Sequence, residues 1–77
     1  MTKSPRDTLW SPLGNLAEAV RPGQRALHDE IKDLRDQLDD DDIPAAVLAA
    51  RARSYAERAR CEGWIKEAVR NAASMLD

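Results

Sequence analysis

A chain of 77 residues with 13 alanines, no phenylalanine and three aromatic side chains (Trp10, Tyr55, Trp64) is one small domain with little apolar volume for a core. Its single cysteine, Cys61, excludes an internal disulfide, and no apolar run approaches the roughly 20 residues of a membrane span. A net charge of −2 and an N-terminus without the apolar core of a signal peptide add to the expectation of a soluble, cytoplasmic protein.

Residues 1–10 mix Lys, Ser, Pro, Arg, Asp and Thr without periodicity and read as a flexible N-terminal tail. Leu9 and Trp10 are costly to leave in water, so they either pack back onto the body or hold a partner. Residues 11–77 read as a single helical domain. Ser11-Pro12 is one candidate helix start and Asn15-Leu16-Ala17-Glu18 another, giving a short first helix over about 12–21. Pro22-Gly23 then interrupts, and a second helix covers about 23–39. Leu13, Val20, Leu27 and Leu34 fall seven apart, as do Ala17, Gln24, Ile31 and Leu38. The apolar phase thus crosses Pro22-Gly23 unbroken, and one kinked helix is the alternative.

Four adjacent aspartates, Asp39 to Asp42, end the second helix. Carboxylates oppose the dipole at a helix C-terminus and suit the next N-terminus, which makes Asp42 the expected N-cap, with Ile43-Pro44 in the first turn. The helices on either side are expected to pack antiparallel across a turn of about four residues.

From residue 43 to about 75 the chain reads as one long Ala-rich helix, with a break near 61–63 as the alternative. Ala45, Ala49, Ala52, Ala56, Ala59 and Gly63 alternate by four and three, flanked by Leu48 and Tyr55, and form a seam of small residues that another helix approaches closely. The apolar phase shifts near Cys61-Glu62-Gly63, after which Cys61, Ile65, Ala68, Ala72 and Met75 follow a rotated stripe. Proline is absent here, and Glu62 and Lys66 form an i,i+4 pair across the site, which favours continuity. The fold class is therefore all-α: a short N-terminal helix, then an antiparallel helical hairpin with a long Ala-rich C-terminal helix. That long seam overhangs the shorter Leu27–Leu38 face. A second copy is expected to cover the overhang and make a dimeric helical bundle, possible as a coiled coil.

No catalytic set is present. His28 is the only histidine, and Gly14, Gly23 and Gly63 are isolated from any phosphate-binding loop. The aspartate run lacks the glycine and terminal glutamate of an EF-hand. No enzyme, cofactor or metal is expected. Three binding readings follow. The first is a protein–protein interaction module (a regulator, inhibitor or adaptor, in the style of phage or mobile-element products that act on a host protein). It self-associates or binds a partner through Ala49, Ala52, Ala56, Ala59, Tyr55, Trp64, Ile65 and Trp10, with Trp64 at least half buried in a core or subunit contact. The second is a helix-turn-helix DNA-binding regulator using Arg51, Arg58, Arg60, Lys66 and Arg70, which requires the break near Gly63. The third is an acidic mimic of nucleic acid, presenting Asp36, Asp39, Asp40, Asp41 and Asp42 to a basic site.

Overall fold

The computed structural model describes residues 5–76. A 3-10 turn over Pro5–Leu9 runs directly into α1 (Trp10–Val20), followed by α2 (Arg25–Gln37), α3 (Ala45–Arg58) and α4 (Gly63–Ser74). The described residues contain no strand, and none of their helices is long and apolar enough to cross a membrane.

The expected tail is helical from Pro5, and residues 1–4 lie outside the described part. Burial of Leu9 explains this: it is fully covered, so the segment leading into α1 is tied to the body. Pro12 falls in the first turn of α1, where proline is tolerated. Pro22 and Gly23 separate two helices, and the kinked-helix alternative is set aside. The unbroken heptad phase instead places Leu13, Leu16, Ala17 and Val20 of α1 opposite Leu27, Ile31 and Leu34 of α2. His28 ties the pair together, its Nδ1–H donating to the Ala17 carbonyl at 2.8 Å.

The turn between α2 and α3 differs from the expected cap. Asp40 Oδ1 accepts the Asp42 N–H at 3.0 Å, and the N-cap is Pro44, whose carbonyl accepts from Val47 and Leu48. Arg6 braces the turn from outside, donating to the carbonyls of Asp40 (2.7 Å) and Ile43 (2.5 Å). The Ile43 N–H closes a tight turn by donating to the Asp40 carbonyl at 3.2 Å, and Pro44, with ψ 141°, delays α3 to Ala45. Along the two helices Gln37 meets Arg51 and Glu30 meets Arg58, so numbering falls on one as it rises on the other. Helices α2 and α3 run antiparallel.

The long C-terminal helix is in fact two. Ala59 and Glu62 are extended (ψ 134° and 141°), and α4 folds back to pack on α3, on α1 and on the 3-10 turn. That return removes the overhang from which a second copy was expected. Ala49, Ala52 and Ala56 are fully buried within the single chain, and Ala59 nearly so. On α4 the buried residues are Val69, Ala72 and Ala73, with Ile65 and Leu76 half-covered beside them. Met75, expected on the apolar stripe, is 64% exposed. The radius of gyration is 11.4 Å, against about 11.5 Å for a globular chain of this length.

Candidate interaction surface

Trp10 and Trp64 lie outside the core. Trp64 is 62% exposed, contrary to the expectation of at least half burial, and Trp10 is 53% exposed. Trp64 is the second residue of α4, pointing away from the Val69–Ala73 face, and its Nε1–H donates to the carboxylate of Glu62, the residue just before the helix. Trp10 opens α1. The Arg35 guanidinium of α2 lies on its ring, with Cζ 3.3 Å from the ring centre.

That stack has a floor. A Cβ at residue 14 would come within 3.3 Å of Arg35 Cζ, so Gly14, one turn after Trp10, leaves the space in which the guanidinium lies. Arg35 is thus held between an indole face and a bare helix backbone, and its Nε is buried without a hydrogen-bond partner. Cation–π attraction of this kind is worth about 0.5–2 kcal/mol, rising with desolvation. The two tryptophans do not share a patch. Trp10 stacks near the end of α2, whereas Trp64 adjoins the α3–α4 connection, which contacts Gln24 just before α2. About 16 Å of helix separates residues 24 and 35.

Two of the five expected basic residues, Arg51 and Arg58, are engaged within the fold. Arg51 donates to Gln37 Oε1 at 2.7 Å. Arg58 reaches Glu30 Oε2 at 3.4 Å and lies 5.1 Å from the centre of the half-buried Tyr55 ring. Lys66 is half-buried, and Arg60 and Arg70 are exposed. Arg60 borders a shallow open groove of about 390 Å³ with Ala19, Val20, Pro22, Gly23 and Gln24. Asp36 and Asp39 to Asp42 are all exposed at the α2–α3 turn. Among the described residues no three His, Cys, Asp or Glu side chains group closely enough to hold a metal. Cys61, in the α3–α4 connection, is half-buried, and burial raises its thiol pKa, partly offset by Lys66.

One residue absent from the sequence-based set organises this end of the molecule. Gln24 donates through Nε2 to the Arg58 carbonyl (2.9 Å) and accepts through Oε1 from the Arg60 N–H (2.7 Å). Its place in the heptad pattern, at a position otherwise filled by Ala17, Ile31 and Leu38, was the only signal. No family model, curated protein or solved structure matches the chain.

Proposed function

We propose that this protein is a non-enzymatic interaction module, a regulator, inhibitor or adaptor that works by occupying a surface of another protein. The observation that carries this reading is the exposure of Trp10 and Trp64 on a chain whose core is otherwise made of Leu, Ile, Val and Ala. A protein short of large apolar residues leaves its two largest side chains more than half exposed, apolar surface that a partner would cover. Tryptophan and arginine dominate binding hot spots, and the Trp10–Arg35 stack presents both in one rigid unit. The buried Ala49, Ala52, Ala56 and Ala59 play no part in either exposed patch, and the half-covered Tyr55 and Ile65 pack against the core.

The test is affinity capture with the wild type, Trp10→Ala and Trp64→Ala, alongside their melting curves. A protein retained by the wild type and lost with either variant at unchanged stability is the expected result. Variants that melt far lower while retaining the same proteins would make the tryptophans structural and end the proposal.

A second reading has one observation in its favour: α3, a four-residue connection and α4 follow one another as in a helix-turn-helix. Glu62 at the N-cap of the would-be recognition helix and Glu67 within it would meet phosphate unfavourably, and Arg58 is engaged with Glu30. DNA binding predicts affinity for duplex that falls steeply between low and physiological salt.

A further inference from the structure

The two hydrogen bonds of Gln24 occupy the rungs that a continuous α3–α4 helix would use. In an unbroken helix the Arg58 carbonyl accepts from the Glu62 N–H, and the Arg60 N–H donates to the Ala56 carbonyl. Here the Gln24 amide takes both groups, at 2.9 and 2.7 Å, from across the molecule. Nothing else in the connection demands a break. Ala59, Arg60, Cys61 and Glu62 include no proline or glycine, and no described residue has positive φ. Gly63, with open space at its Cβ, imposes no turn either.

From this we infer that the α3–α4 connection is a hinge, and that two copies of the chain exchange α4 when it straightens. Residues 45–74 then form one helix of about 45 Å, so α4 projects roughly 18 Å from its own body. At 100° per residue, the buried face of α4 (Val69, Ala72, Ala73) stands about 140° away from that of α3 (Ala49, Ala52, Ala56). The released face therefore cannot be covered by the helices that cover α3. A second copy that has also released α4 offers the matching site, the same surface of α1, α3 and the 3-10 turn, and reciprocal insertion closes a two-fold dimer. The occupant is α4 of an identical chain because every contact it makes already exists within one chain. The exchange rests on the Gln24 contacts and not on the Trp10–Arg35 stack.

The experiment compares the wild type with two variants, refolded from urea at about 1 mM protein and sized by light scattering. Glu62→Pro fits the closed hinge, where Glu62 has φ −60° and ψ 141°, and blocks the straight helix by removing an N–H that it needs. Gln24→Ala frees both rungs. The expected results are a dimer in the wild type that persists on dilution and a monomer in Glu62→Pro. In Gln24→Ala the dimer-to-monomer ratio rises about tenfold or more, the factor for losing hydrogen bonds of ordinary strength. Monomer in both the wild type and Glu62→Pro overturns the inference, and so does a dimer in both, since an ordinary surface dimer does not depend on the hinge. If Gln24→Ala fails to fold, the comparison of the wild type with Glu62→Pro decides alone.

Discussion

Single side chains in this protein act on backbone more often than on one another. Gln24 meets two backbone groups, Arg6 two carbonyls and His28 one, and each joins segments distant in sequence. Hydrogen bonds of this kind are worth about 0.5–1.5 kcal/mol each, so Arg6→Ala is expected to lower stability by roughly 1–3 kcal/mol in urea titration. Gly14 is a different kind of residue: its value is an absent side chain. Gly14→Val should displace Arg35 from the Trp10 ring, visible as a changed Trp10 emission in a Trp64→Phe background, with helicity retained. Unchanged emission would mean that the stack is not seated on residue 14. Cys61 gives a pH prediction. Burial disfavours its thiolate, so alkylation should proceed at higher pH than for an unfolded-chain cysteine. A raised folded-state pKa places its stabilising contribution below the unfolded value, and that contribution is lost as pH rises through the folded one. A profile matching that of the urea-unfolded protein would contradict this.

Among the elements, α3 builds its share of the core from small residues, with three alanines and Leu48 fully buried along it. A fully buried alanine leaves no room for growth. Ala52→Leu is expected to cost about 1–3 kcal/mol through overpacking. Ala56→Glu should unfold the single chain outright, because it places an unpaired carboxylate in the core. If Ala56→Glu kept its native melting temperature, the position of α3 in the core would be wrong. Gly63→Ala has open space and ordinary backbone at the start of α4, and should raise the melting free energy by about 0.4–1 kcal/mol.

For the whole molecule, folding α4 back is the decisive step. It converts a hairpin with an uncovered apolar extension into a body in which, among the described residues, 17 apolar ones are buried and no polar or charged one is. The shape that results carries five exposed aspartates at the α2–α3 turn, near the Arg6 contacts, while Arg60 and the groove sit beside the opposite turns. Charge at the acidic end is self-repelling. Asp40→Asn with Asp41→Asn should therefore leave stability at neutral pH unchanged or slightly raised at low salt, with the difference shrinking as salt screens it. A loss of more than about 1 kcal/mol would show that the Asp40 Oδ1 contact to Asp42 outweighs the repulsion.

The sequence by itself determined the helical class, the stop at Pro22-Gly23 and at the aspartate run, and most of the core. These are local properties: apolar spacing, proline chemistry and like-charge repulsion act within a few residues. Leu13, Val20, Leu27, Leu34, Ala49, Ala52 and Ala56 are legible because a helix of known pitch must bury a stripe on one side. Only the tertiary structure decided the break at Ala59–Glu62, the surface position of Trp64 and the start of helix before Trp10. Each depends on a group far along the chain. Local preference at Ala59–Glu62 favours continuing the helix, and it is overruled by one amide 34 to 36 residues earlier, together with the burial that α4 gains by folding back.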